Sequence, residues 1–216
     1  KTRVNPYLPF KIPQKYGLKK ILKRSSVLRV GDTKSFWTHN YKTNRDEQIT
    51  SKLQYSGNYC EIWAKDTSLI TQSVAEKMGI EFDKKIYPLI VNNFYQPSDI
   101  DGNGKISILC YDIKDNFDST GTYTGGYFYG GDLTGDDYSN NMEIFYVDTY
   151  PAMYDKYDNF HPEYSYETIV HEFQHMVNFN KVFFVDGKDP MEDEPIWLNE
   201  GLSQAAEQIY TGNVLK

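Results

Sequence analysis

The sequence predicts an α+β fold, and three observations carry that expectation. NYCEIWAK (58–65) and KISILCYD (105–112) alternate apolar with polar residues, the period of a strand, and MEIFYVD (142–148) has strand length and composition. YSYETIVHEFQHMVNFN (164–180) and PIWLNEGLSQAAEQIY (195–210) space their apolar residues three and four apart, the period of a helix. At 216 residues and 39% hydrophobic the chain can bury a real core, as one domain or two tightly packed halves.

Taken in order, residues 1–31 read as a basic leader or linker, broken early by Pro6, Pro9 and Pro13, whose charges follow no apolar stripe. Residues 32–67 form a β-rich portion, with SFWTHNY and NYCEIWAKD separated by polar turns and expected to make a small sheet. SLITQSVAEKMGIEFDKKIYPLIVNNF (68–94) carries helical spacing for one or two helices, with Pro88 marking a kink or a start. DIDGNGKISILCYDI (99–113) is a turn running into a strand, and TGTYTGGYFYGGDLTGDD (120–137) has turn chemistry, expected as a loop or hairpin pair. MEIFYVD reads as a strand and is expected at the edge of the sheet. The helix of 164–180 is capped near Ser165, and that of 195–210 is stopped by Gly212.

The net charge of −7 conceals an asymmetry. Residues 1–31 hold nine of the 23 basic residues and no acid, so the remaining chain sets 14 basic against 30 acidic side chains. An acidic body repels nucleic acid, and the basic stretch carries no recognition motif; it is suited to touch an anionic surface or to fold back on the acidic domain. No run of 18 apolar residues exists, and KTRVNPYLPF lacks the apolar stretch of a signal peptide. A start at Lys rather than Met is expected of a processed or trimmed chain. Cys60 and Cys110 each lie on the apolar face of an alternating run, open to two readings: buried thiols or a disulfide between neighbouring strands.

The chemistry concentrates in HEFQH. On the 164–180 helix, Ile169, Phe173, Met176 and Val177 make one stripe, while His171, His175 and Asn178 lie roughly opposite. Two imidazoles one turn apart can grip one ion, and Glu172, one residue from the first, can overhang the ion's open position and take a proton from water there. A catalytic zinc needs a third protein ligand, and Glu200 follows 25 positions after His175 on the next helix. There Leu198, Leu202, Ala205 and Ile209 are expected to face the core, with Glu200, Ser203, Gln204 and Glu207 on the other side.

HEFQH followed by NEG on a later helix resembles the gluzincin clan of zinc peptidases, and HEFQHM with WLNEGLS, FDKKIYP and DIDGNGKI is similar to the hyicolysin family of secreted bacterial metallopeptidases, over about residues 32–212. The resemblance implies a zincin-like arrangement: a twisted sheet whose edge strand lies over the HExxH helix, and a second helix carrying the glutamate ligand. It implies one catalytic zinc on His171, His175 and Glu200, Glu172 as general base, and Glu207, seven after Glu200, as a candidate to buttress a ligand from behind. The 32–216 stretch would then be a secreted or cell-surface metallopeptidase domain acting on protein or peptide substrates. Departures are visible: the thermolysin branch has an acid where Gln204 stands, and the aminopeptidase branch has Gly-x-Met-Glu-Asn where this chain offers only NNMEI (140–144). Tyr210 and the tyrosines of 123–129 are candidates for stabilising an oxyanion.

Asp99, Asp101 and Asn103 resemble the front half of a calcium loop, but its twelfth position is Cys110, so calcium competes with a plain polar turn; Asp112 or Asp115 would serve a loop of different length. His39 and His161 read as surface or turn residues, and MEDE (191–194) as a solvated loop close to the glutamate helix. Two rival functions stay open: an aminopeptidase of the same clan, and a non-catalytic module of zincin fold presenting its tyrosine-rich face to a partner.

Overall fold

Alternation along the central strands builds a sheet with two apolar faces. The structure, a computed structural model, describes residues 1–4 and 28–212, so most of the basic leader, residues 5–27, lies outside the described residues. In chain order the elements are β1 (Thr2–Val4), β2 (Thr33–Asn40), β3 (Arg45–Ser56), β4 (Cys60–Ala64), α1 (Gln72–Glu81), α2 (Tyr87–Asn93) and β5 (Ile106–Tyr111). There follow α3 (Phe117–Thr120), β6 (Thr122–Thr124), β7 (Gly126–Phe128), α4 (Gly131–Thr134), β8 (Ile144–Asp148), α5 (Tyr166–Phe179) and α6 (Ile196–Thr211).

Six strands pair in the order β2-β3-β4-β5-β8-β7. The strands of residues 32–67 therefore belong to the same sheet as those that follow. The β4–β5 and β5–β8 pairs are parallel, and β7 runs antiparallel to β8. Cys60, Ile62, Ala64, Ile106, Ile108, Cys110, Phe145 and Val147 point to one face, where they meet Met78, Phe82, Ile90, Ile169, Phe173 and Val177 of the helices. Their alternates Trp63, Leu109, Tyr111, Ile144 and Tyr146 join Phe36 and Leu53 on the other. Strands buried on both faces are how a parallel sheet interior looks.

That pattern corrects the expected edge. MEIFYVD is an interior strand, buried at every position from Ile144 to Asp148, and the terminal strand beyond it is β7, GYF. Three residues are too few to display a period, and they sit in the glycine-rich stretch read as turns. The two strands of that stretch do not form a hairpin with each other: β7 joins β8, whereas β6 pairs in parallel with β1 in a separate two-stranded sheet, Arg3 opposite Tyr123.

Helix ends follow local chemistry with one exception. Thr71 Oγ1 accepts from Val74 N to cap α1, and α6 ends on Gly212 at φ +69°. The stretch around Pro88 is one continuous helical run in which α1 passes into α2 through a π-helical segment, Phe82–Ile86, with the proline in the first turn of α2. Ser165 stands at the cap position of α5, but its hydroxyl donates to Pro162 O at 2.6 Å, closing the 3₁₀ turn Pro162–Ser165 instead of capping the helix.

α6 overturns its expected orientation. Ser203 and Ala206 are its buried positions, whereas Leu198 is 38% and Ile209 49% exposed. The side that carries Asn199, Ser203 and Glu207 packs on α5 through hydrogen bonds between polar side chains, with Ala206 in the core beside them, while Gln204 of the expected polar side is exposed.

Candidate metal centre

α5 runs beneath the sheet with Ile169, Phe173, Met176 and Val177 fully buried. Its other side meets α6, and between the two helices the polar residues converge. His171 is wholly buried, and the His175 side chain is 12% exposed. Their Nε2 atoms lie 3.0 Å apart. Glu200 reaches in from α6, Oε2 at 3.4 Å from His171 Nε2 and Oε1 at 3.5 Å from His175 Nε2. One ligand atom from each of the three residues falls within 4.8 Å of the others.

The outer nitrogens explain the inner geometry. His171 Nδ1 lies 2.8 Å from Glu207 Oε1, and His175 Nδ1 lies 2.8 Å from Asn199 Oδ1. Each acceptor assigns the ring proton to Nδ1 and leaves a lone pair on Nε2, so two lone pairs and a carboxylate face one point. Such a cluster of acceptors is unfavourable without a positive charge at its centre. The pull toward positive charge shows at His171 alone: burial opposes its charged form, but Glu200 and Glu207 outweigh it and raise its pKa to about 9, whereas at His175 burial prevails and holds the ring below its ordinary value. Two imidazoles and a carboxylate are a donor set that zinc accepts, with each ring oriented by a partner behind it.

Those partners are themselves held. Arg3 Nη2 lies 3.2 Å from Glu207 Oε1. Ser203 Oγ donates to Gln174 Oε1 at 2.5 Å and stands 3.1 Å from His175 Nδ1. Asn178 Nδ2 donates to Asn199 Oδ1 at 3.2 Å and to Glu194 Oε2 at 2.7 Å, so one residue of the MEDE loop reaches the periphery of the centre. Glu172 is 3% exposed and lies directly under β7: a methyl group placed on Gly126 would stand 3.4 Å from Glu172 Cγ and 2.5 Å from Thr168 Cγ2. The glycine lets the helix approach the terminal strand that closely.

Other expected residues are placed elsewhere. Gln204 is exposed on α6. Tyr210 donates to Glu81 Oε1 at 2.7 Å, Tyr127 is buried in the far face of the sheet against Tyr146, and Tyr129 bonds Asp136; Tyr123 stands opposite Arg3 in the β1–β6 pair. His39 lies within β2, its Nδ1 2.9 Å from Asp46, and His161 sits in the turn before the 3₁₀ segment, against Glu163. Cys60 and Cys110 are free and buried. The register sets Cys60 beside Ile106 and Cys110 beside Ala64, four residues along, about 13 Å at strand rise and beyond a disulfide's reach. Asp115 accepts from Phe117 N and Thr124 N, and Asp112 pairs with Lys114, so neither completes the loop at 99–103.

Asn199 shows in the sequence only as the neighbour of Glu200 and Ser203 only as a member of that helix's polar side, and Arg3, 204 positions from Glu207, leaves no local signal. No protein-family model matches the chain. It is 43% identical over 182 residues to "Neutral metalloprotease ShpI" of Staphylococcus hyicus, a stretch that covers 84% of this chain and 41% of that protein. The chain thus spans less than half the length of the curated relative it matches.

Proposed function

Since the chain is related to the hyicolysin family of zinc metallopeptidases, we propose that it is a secreted zinc-dependent endopeptidase in which His171, His175 and Glu200 hold the ion. Glu172 is its general base and Glu207 orients His171. The observation that carries this reading is the convergence of two Nε2 atoms and the Glu200 carboxylate on one point, with both Nδ1 atoms engaged behind.

Zinc at such a site supplies Lewis acidity, lowering the pKa of water in its open position and polarising a carbonyl. Glu172 takes a proton from the attacking water onto a carboxylate oxygen and delivers it to the amide nitrogen as the C–N bond breaks. Glu207 and Asn199 hold the two rings in the tautomer that keeps Nε2 free. In the zincin arrangement that we propose, β7 receives the substrate: it is the terminal strand of the sheet and lies over Glu172, so an extended peptide that pairs with it brings its backbone across the catalytic carboxylate.

Purified protein is incubated with casein, with and without phenanthroline, beside Glu172→Gln and His175→Ala. Chelator-sensitive cleavage is expected, with Glu172→Gln keeping about one zinc per chain and losing at least ~100-fold in rate, and His175→Ala losing the metal. Chelator-insensitive or absent cleavage, or full zinc content in His175→Ala, would refute the reading. Cleavage of peptides with free amino termini but not of blocked ones would turn it to an aminopeptidase.

A further inference from the structure

The loop at 99–105 gains from the fold what its own spacing lacks. Asp99 and Asp101 stand with Glu143, the residue just before β8, one ligand atom from each lying within 4.8 Å of the others. The twelfth loop position, Cys110, is inside β5 facing the helices, so the third carboxylate arrives from 42 residues beyond Asp101 in the chain.

Glu143 is the observation that points to a ligand. It is 1% exposed. Its Oε1 accepts from Ser98 Oγ at 2.7 Å and from Ile100 N at 2.9 Å, the residues flanking Asp99, while its Oε2 is buried with no hydrogen-bond partner. A half-satisfied buried carboxylate is costly unless a positive charge stands nearby. Among the described residues no ion pair is formed by Asp99, Asp101 or Glu143; Lys105 Nζ turns to Ser56 Oγ at 2.6 Å, and Lys34 Nζ, which lies against Met142 Sδ, acts on Asp101 through space without a direct contact. Burial raises the pKa of both Asp101 and Glu143, and Asp101 adds to the rise at Glu143. Gly102 and Gly104, at φ +72° and +68°, wind the backbone so that Asp99 Oδ1 accepts from Gly104 N and the carboxylates stay on the inner side of the turn.

We propose that Asp99, Asp101 and Glu143 form a calcium site that clamps the 99–105 loop to the start of β8. The donors are all oxygens, with no imidazole or thiolate among the three, which selects a hard cation. An irregular set drawn from a loop and a distant strand suits calcium, which tolerates variable geometry, better than magnesium, which demands a near-ideal octahedron. The site's role is structural and independent of the zinc reading.

The full chain, dialysed against chelator and reloaded with one equivalent of zinc, is titrated with calcium chloride by calorimetry, and its thermal unfolding is followed in calcium or magnesium. One calcium per chain is expected with sub-millimolar affinity, together with a midpoint that rises with calcium concentration and far less with magnesium. Glu143→Gln and Asp99→Asn should each weaken calcium binding about tenfold or more, with zinc content unchanged. Asp99 is exposed, so its variant keeps the test decisive where Glu143→Gln fails to fold. No calcium binding at millimolar concentration, magnesium binding as well as calcium, or undiminished calcium affinity in Asp99→Asn would overturn the proposal; the first result would indicate that Lys34 balances the cluster instead.

Discussion

In the proposed centre His171 and His175 act as a pair because of what stands behind them. Local spacing in the chain names His171, Glu172 and His175, since one helical turn suffices to align the two rings, and it names Glu200 by requiring a third ligand. It does not reveal Asn199, Ser203 or Arg3, whose contacts exist only once α6 and β1 are packed. Ligands oriented by hydrogen bonds lose metal affinity when the partner is removed, typically by about 10–100-fold. Glu207→Ala and Asn199→Ala are therefore expected to weaken zinc binding in that range while leaving the helical circular dichroism intact, measured by competition with a chromophoric chelator. Unchanged affinity in both would mean that the Nδ1 contacts do not hold the rings.

Among the elements, α5 and α6 show how far periodicity reaches. For α5 the apolar stripe was legible because it packs against other apolar groups. For α6 the same rule pointed the wrong way: Leu198 and Ile209 are exposed, and the side that carries Ser203 and Glu207 is the one against α5. Hydropathy registers transfer from water, and a contact made by hydrogen bonds is invisible to it. The terminal strand is a second case, because β7 is defined by its register with β8 rather than by any pattern of its own. Its Gly126 is the point of closest approach to α5. Gly126→Ala places a methyl 2.5 Å from Thr168 Cγ2 and 2.6 Å from Tyr146 O, so strand and helix must separate. Overpacking of this kind costs about 1–3 kcal/mol; at this chain length that lowers the melting point by roughly 2–12 °C. Casein cleavage should fall more than stability does, and a variant with wild-type melting and activity would contradict the close packing.

Across the whole molecule, the far face of the sheet stores a pH dependence. Asp132 is fully buried there; burial raises its pKa to about 7, against hydrogen bonds from Tyr146 and Asn140 that favour the charged form. A carboxyl whose folded pKa exceeds its unfolded value binds its proton more tightly when folded, so stability falls as pH rises from about 4 toward 7 and levels off above. Asp132→Asn cannot ionise and should lose that decline, overtaking the wild type near neutrality by up to ~4 kcal/mol, the ceiling set by a three-unit shift. Denaturant unfolding at pH 5 and pH 7.5 measures it; parallel profiles for the two proteins would refute the assignment. By itself the sequence determined the α+β class and most of the strands and helices, and it supplied the four candidate residues of the HEFQH and NEG motifs, because each element and each motif is written in spacings of a few residues. Only the tertiary structure decided which strand ends the sheet, which side of α6 is buried, what stands behind each imidazole, and that Glu143 joins Asp99 and Asp101. Those facts depend on contacts between residues tens to hundreds of positions apart, whose pairing is set by packing and by the matching of polar groups rather than by any local period.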